Sequence, residues 1–218
     1  MSSPTQPPRF PLPARLATLL LPALLAGCVP AAGMYQLDFA PGGRDLDPAR
    51  LLRDGRVPRD RLLSIEEALQ RAPRGSLILA CWRRIQIGNA YGHCSHISRK
   101  YSDTQLVDTA IEYGSVGLYP ISNLYRRYAV IVLDTGLRDE DWPQIEATYQ
   151  KLRGLPYDLS NREGTYYCST FQNALEEAAG LPPAIPWNDT WKMYVPADVL
   201  YQKHVKVLYV GVNPAARR

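Results

Sequence analysis

Cys168 has the residue type and the setting that a nucleophile requires. It lies in the segment 166–171 (YYCSTF), directly before an apolar stripe at helical spacing. We therefore place the thiol in the first turn of a helix, where backbone N–H groups lack intrahelical partners and the dipole is positive. Both features favour thiolate over thiol, and the free N–H groups can donate to a developing oxyanion. On position alone, a buried core cysteine is the alternative.

His96 is the candidate base for this thiol. It lies in the segment 92–98 (GHCSHIS), and a strand over 95–99 would place His96 and Ser98 on one face of a sheet. A histidine that projects from a sheet toward the head of a helix can take the proton from a cysteine there. A surface or structural histidine is the alternative.

A third group must orient the imidazole, and two acidic residues qualify. Asp108 and Glu112 both follow His96 in the next predicted strand region. Residues four apart on a strand share a face, so both could face His96 if the strand continued. We favour Asp108 because 113–115 (YGS) is typical of a turn. For either residue, a solvent-exposed acid is the alternative.

His93 and Cys94 lie close to His96 and raise the question of a metal site. Residues three apart on a strand point to opposite faces, so His93 and His96 are poorly placed as joint ligands. We therefore predict no metal and no cofactor.

The N-terminal segment is typical of an export signal. Residues 16–27 (LATLLLPALLAG) form an uncharged apolar run that is too short to span a bilayer as a mature helix. The run leads into 25–28 (LAGC), which resembles the lipobox of bacterial lipoproteins. This resemblance implies cleavage before Cys28, acylation of its sulfur and a stable lipid anchor. Because Val29 follows rather than Asp, it also implies the outer membrane, facing the periplasm. A plain secretory signal or a buried amphipathic segment is the alternative.

The composition indicates how the rest of the chain is organised. Hydrophobic residues make up 46% of the 218, enough for one sizeable core. No block of lysine and arginine stands out, so we expect no nucleic-acid partner. We predict a signal peptide over 1–27, a lipidated N terminus and tether over 28–62, and one hydrolase domain over 63–218.

Three cysteines remain after Cys28, an odd number for an exported chain. An odd cysteine in an oxidising compartment indicates a free and reactive thiol. A disulfide between Cys81 and Cys94 would leave Cys168 free, although the sequence alone does not decide the pairing.

Periodicity and turn signals place the elements around these residues. Predicted helices start at Ser64, Asp141 and Cys168, and they end at Pro73, Gly154 and Gly180. Predicted strands cover 77–82, 95–99, 105–110, 128–134 and 205–212. A run of strands with helices beside it predicts an α+β fold, with an antiparallel sheet packed against helices, rather than a doubly wound sheet.

Seven segments, in order along the chain, resemble the YiiX/YebB-like branch of the permuted NlpC-like papain-fold hydrolases. They are 74–79 (RGSLIL), 95–98 (SHIS), 106–109 (LVDT), 115–121 (SVGLYPI), 154–158 (GLPYD), 167–171 (YCSTF) and 194–200 (YVPADVL). The resemblance covers about residues 74–200. It implies a circularly permuted papain-like fold, in which the histidine precedes the cysteine, as His96 precedes Cys168 here. The family's third residue is usually glutamate, so Asp108 and Glu112 both remain candidates.

The resemblance also implies a reaction. Cys168 would attack an amide or ester carbonyl, His96 would act as its base, and water would release the acid from a thioester. The implied substrate is a peptide or lipid of the cell envelope. Two alternatives stay open, an acyltransferase or lipid esterase of the permuted fold and a non-catalytic envelope-binding lipoprotein. The aromatic residues Trp187, Trp191 and Tyr194 could line a lipid or sugar site, or simply pack in the core.

Overall fold

The computed structural model describes residues 62–82 and 94–213. The lipobox with Cys28, the predicted tether before residue 62, and His93 lie outside the described residues. The strands are β1 (Leu62–Ser64), β2 (Leu77–Cys81), β3 (His96–Lys100), β4 (Gln105–Asp108), β5 (Gly117–Pro120), β6 (Ala129–Asp134), β7 (Trp187–Asn188), β8 (Met193–Tyr194) and β9 (Lys206–Val212). The α-helices are α1 (Ile65–Arg71), α2 (Trp142–Leu152) and α3 (Cys168–Ala178), and 3-10 turns cover Ile121–Leu124, Asp139–Asp141 and Pro196–Tyr201.

Seven strands form one sheet in the order β1-β9-β6-β2-β3-β4-β5. The predicted α+β class is confirmed, but the sheet is mixed rather than wholly antiparallel, because β1 pairs in parallel with β9 at one edge. Residue 62, which we assigned to the tether, belongs to this strand. Three residues are too few to give a periodic signal, so only the pairing with the far end of the chain reveals β1.

Helices cover both faces of the sheet, which is why the central strands β2 and β6 are buried along almost their whole length. Helix α1 packs on one face with the side chains of Ile65, Ala68 and Leu69. It approaches β9 so closely that a Cβ on Gly211 would lie 2.8 Å from the Cα of Ile65. Helices α2 and α3 pack together on β3 and β4 through a second apolar cluster that includes Val107, Ile145, Tyr149, Phe171 and Leu175.

Local sequence signals account for where the helices begin. The Ser64 hydroxyl accepts from the Glu67 N–H at 3.1 Å, the predicted capping contact of α1. Asp141 stands at the N-cap position of α2 but does not cap it, since its carboxylate accepts from the backbone N–H of Arg138 at 3.0 Å. Among the described helices, none combines the length and the hydrophobicity that a membrane crossing requires.

Candidate active site

Three of the predicted site residues meet at one end of the sheet. His96 begins β3, Asp108 ends β4, and Cys168 is the first residue of α3. The Nε2 atom of His96 lies 2.8 Å from Oδ2 of Asp108. The other oxygen, Oδ1, accepts from the Thr109 N–H at 2.7 Å. Asp108 is fully buried and Cys168 is only 5% exposed, so this cluster is largely shielded from bulk water.

The two ring nitrogens of His96 have different partners. Cys168 is close enough to His96 to raise the pKa of the imidazole. Because Asp108 already occupies Nε2, Nδ1 is the nitrogen left for the thiol. This is the reverse of the Ser-His-Asp proteases, in which Nε2 serves the nucleophile and Nδ1 the carboxylate. The order of partners along the ring is nevertheless the same: thiol or hydroxyl, imidazole, carboxylate.

The environment of His96 favours its protonated form. Burial alone lowers the pKa of His96, but the charge of Asp108 and its hydrogen bond, with a smaller contribution from Cys168, outweigh this effect and raise the pKa well above the ordinary 6.5. A proton that leaves the thiol therefore has a strong acceptor beside it. The arrangement suits a thiolate paired with an imidazolium.

Glu112, the second candidate for the acid, pairs with Arg127 rather than with His96. Strand β4 ends at Asp108, and the chain then turns, with the Tyr113 and Gly114 N–H groups both donating to the Ala110 carbonyl. The same-face argument for Glu112 therefore fails, because the strand does not continue through 112. Its half-exposed carboxylate instead accepts from Nη2 of Arg127 at 3.4 Å.

Tyr157 is a site residue that the sequence reasoning did not single out. Its half-buried ring packs against the apolar cluster that contains Cys168. Burial raises the pKa of Tyr157, and the nearby charge of Cys168 raises it further. The phenol therefore stays protonated, within electrostatic range of Cys168, and remains a hydrogen-bond donor. The only sequence signal was the tyrosine of the segment 154–158.

A buried polar network fixes α3 to the strands that carry His96 and Asp108. Arg99 of β3 forms a fully buried ion pair with Glu176 of α3. Its Nε donates to Gln172 at 3.2 Å and its Nη1 to the Gly75 carbonyl at 2.8 Å. Gln172 in turn donates to the Val107 carbonyl of β4 at 3.1 Å. These contacts set the position of the helix that presents Cys168.

Cys81 and Cys94 form a disulfide. Cys168 is therefore the free cysteine within the described residues. A sulfur in a disulfide is not available as a thiolate ligand, which further weakens Cys94 as a metal ligand. Among residues 62–82 and 94–213, no group of three or more potential metal ligands lies together.

The three aromatic residues that we considered for a lipid or sugar site occupy different positions. Tyr194 and Trp187 stack edge to face across the β7–β8 hairpin, with ring centroids 5.2 Å apart, and Trp187 is half-exposed. Trp191 packs against the core cluster. The Tyr194 N–H donates to the Tyr167 hydroxyl at 2.9 Å. Tyr194 also lines a cavity of about 440 Å³ along the first turns of α3, beside Thr170.

Known proteins offer a structural likeness rather than a sequence match. No family model matches the chain, and no curated protein matches it. Among solved structures, the chain is similar to the crystal structure of the metalloprotein YiiX from Escherichia coli O157:H7, with 18% sequence identity and a TM-score of 0.46. The alignment covers 67% of this chain and 92% of that chain.

Proposed function

We propose that this chain is a lipid-anchored cysteine hydrolase with a circularly permuted papain-like fold, in which Cys168 is the nucleophile and His96 the base. The observation that carries the proposal is the cluster of thiol, imidazole and buried carboxylate, in which His96 lies 2.8 Å from Asp108 and within electrostatic range of Cys168. Nucleophile, base and orienting acid are the three roles that covalent acyl transfer needs. The order of His96 before Cys168 in the chain supports the permuted assignment.

The first half of the reaction forms a thioester. The Cys168 thiolate attacks the carbonyl carbon of an amide or ester, and the carbonyl oxygen becomes an oxyanion. N–H groups at the head of α3, that of Cys168 among them, donate to this oxygen, and the Tyr157 hydroxyl is a second donor. The His96 imidazolium then gives its proton to the leaving amine or alcohol as the carbon–nitrogen or carbon–oxygen bond breaks.

The second half returns the enzyme to its starting form. Neutral His96 takes a proton from water, and the hydroxide attacks the thioester carbon. The carbon–sulfur bond breaks, the acid is released, and Cys168 leaves as the thiolate beside the imidazolium. Asp108 holds the ring and stabilises its charge throughout, which is the role of the acid in triads of this type.

The envelope location is supported by two independent features. The apolar run and the segment 25–28 (LAGC), which ends at Cys28, resemble a lipoprotein leader. The Cys81–Cys94 disulfide is of the kind that persists in oxidising compartments such as the periplasm. We therefore propose an outer-membrane anchor facing the periplasm, with a peptide or lipid of the envelope as substrate and no nucleic-acid partner.

Covalent labelling tests the proposal. The purified protein is incubated with a thiol-directed acyl probe, and the modified residue is located by mass spectrometry. We expect labelling of Cys168 in the wild-type protein, none in Cys168→Ala, and slow labelling in His96→Asn. Ser169→Ala, the adjacent buried position of the same helix turn, is the matched control and should label like wild type. Equal labelling of wild type and Cys168→Ala would favour a non-catalytic binding lipoprotein.

Product analysis then separates the substrate classes. The protein is incubated in parallel with muropeptides and with phospholipid vesicles, and the products are identified by mass spectrometry. A shortened peptide defines a peptidase. A released fatty acid defines a lipid esterase, and a transferred acyl chain defines an acyltransferase. Each activity should disappear in Cys168→Ala.

A further inference from the structure

Arg127 is a buried cation with too few partners. Its side chain is only 6% exposed, and its guanidinium carbon lies 3.7 Å from the centre of the Trp82 ring. Its ion pair with Glu112 is long, at 3.4 Å, and the Glu112 side chain is half-exposed. Within the described part of the chain, neither Nε nor Nη1 of Arg127 has a hydrogen-bond partner.

Comparison with Arg99 shows how unusual this is. Arg99 is fully buried, and its Nε, Nη1 and Nη2 each have a partner. Buried charges are normally paired and hydrogen-bonded, because an unpaired donor costs free energy comparable to its desolvation. An arginine stays charged when buried. The surroundings of Arg127 therefore do not supply all the hydrogen-bond acceptors that its guanidinium needs.

Arg127 lies at the catalytic end of the sheet. It is three residues before Val130, which pairs with Ala80 of β2, and Ala80 pairs with His96 on its other side. The pKa of Arg127 is lowered by burial and raised by the charges of Glu112 and of Asp108, the catalytic acid, among others. The guanidinium therefore lies near this end of the sheet and within electrostatic range of Asp108, a member of the Cys168–His96–Asp108 cluster.

We infer that Arg127 binds a carboxylate of the substrate, and that Glu112 occupies this subsite until the substrate displaces it. The inference rests on the proposed function and adds the substrate class, an acyl compound with a free carboxylate near the scissile bond. A carboxylate is favoured because the present occupant is one, and because a planar carboxylate can pair with a guanidinium that already packs against the Trp82 ring. Half-exposed Glu112, held by a single long contact, is suited to exchange.

A ladder of alkylating probes tests the subsite. Bromoacetyl derivatives of ω-amino acids with spacers of one to five methylenes are each compared with their carboxamide counterparts. The Cys168 thiolate displaces bromide, a carbon–sulfur bond forms, and mass spectrometry follows the rate. At one spacer length we expect the carboxylate to react about tenfold faster than the carboxamide, since hydrogen bonds to charged groups have that magnitude. In Arg127→Gln the ratio should fall to about one.

Two further variants keep the test decisive if Arg127→Gln folds poorly. Glu112→Gln removes the competing carboxylate from a half-exposed position, so the carboxylate preference should rise several-fold. Arg126→Gln makes the same charge change at the exposed neighbouring residue and should keep the wild-type ratio. The subsite is supported if the carboxylate-to-carboxamide ratio rises in Glu112→Gln, and if it falls in Arg127→Gln but not in Arg126→Gln.

Different negative results would overturn different parts of the proposal. Reactive Cys168 with a ratio near one at every spacer length, or a ratio unchanged in Glu112→Gln, would overturn the carboxylate subsite and leave the hydrolase proposal standing. A stronger preference for matched phosphonate probes would replace the carboxylate by a phosphate group and overturn the substrate class. Cys168 that resists every probe would overturn the hydrolase itself, and the subsite with it.

Discussion

The imidazole of His96 lies 2.8 Å from the carboxylate of Asp108, and the carboxylate is completely buried. A buried carboxylate that touches one ring nitrogen does two things at once. It fixes the orientation of the ring, which leaves the other nitrogen for Cys168, and it favours the protonated ring through its charge. Both effects can be measured without knowing the substrate.

Asp108→Asn removes this charge while keeping a hydrogen-bonding side chain of the same shape. Burial alone lowers the pKa of His96, and mainly the charge of Asp108 raises it. We therefore expect the pKa of His96 in the variant to fall to its ordinary value of about 6.5 or below. The protonated ring, which persists into alkaline solution in the wild type, is then lost near neutral pH. A ¹⁵N NMR titration of the histidine ring nitrogens measures the change.

The control for this variant is Asp103→Asn, the same substitution at a side chain that is 91% exposed. It should leave the His96 titration where it is. If His96 titrates at the same pH in wild type and in Asp108→Asn, the carboxylate does not set the protonation of the base.

Arg99→Met tests the network that holds α3. The change leaves the Glu176 carboxylate fully buried without its cation. Removing one partner of a buried pair costs about 3–5 kcal/mol of unfolding free energy, whereas replacing both partners by apolar groups costs far less. We expect Arg99→Met to be less stable than the double variant Arg99→Met/Glu176→Met. Urea unfolding of both proteins gives the two free energies.

An exposed pair on the same protein provides the contrast. Arg71 and Glu67 of α1 lie 2.6 Å apart with both side chains in contact with water. Arg71→Met should cost about 0.5 kcal/mol or less, as is usual for exposed helix pairs. Equal losses for Arg71→Met and Arg99→Met would mean that the buried pair does not anchor the helix.

The elements that present the site follow from local sequence patterns. The apolar stripe at helical spacing and Gly180 predict the helix over 168–179, and α3 begins at Cys168 and ends at Ala178. Strands β2, β3 and β6 lie within one or two residues of their predicted bounds. These features depend on residues close together in the chain, whose periodicity and turn signals carry the information.

The contacts between distant segments could not be predicted in this way. β1 pairs with the other end of the chain, and Arg99 meets Glu176 across 77 positions. Arg99 and Glu176 look solvent-exposed in the sequence because they are charged. Their burial depends on which surfaces the tertiary fold brings together. The sequence also could not decide between Asp108 and Glu112 as the acid, because that choice depended on where β4 ends.

The disulfide links the end of β2 to the residues just before β3, the strand that carries His96. Cys94 lies two residues before His96, and its partner Cys81 ends the neighbouring strand β2. The double variant Cys81→Ala/Cys94→Ala should lose roughly 3 kcal/mol of unfolding free energy, the loop-closure value for a separation of this size. Urea unfolding measures it, and wild type unfolded with a phosphine reductant should give the same result. A wild-type protein whose stability does not change with reductant would contradict this.

Tyr157→Phe removes one hydroxyl within electrostatic range of Cys168 and little else. Because the phenol stays protonated, it can donate to an oxyanion that exists only after the thiolate has attacked. An interaction made only in the transition state affects kcat and leaves KM nearly unchanged. With a p-nitrophenyl ester as a generic acyl substrate, we expect kcat to fall by about a hundredfold to a thousandfold, the range for the loss of one oxyanion donor. Tyr125→Phe, at an exposed tyrosine, makes the same chemical change away from the thiol and should keep the wild-type kcat. Were Tyr157→Phe to raise KM and leave kcat intact, the phenol would be a substrate-binding group, and the N–H groups at the head of α3 would have to stabilise the oxyanion without it.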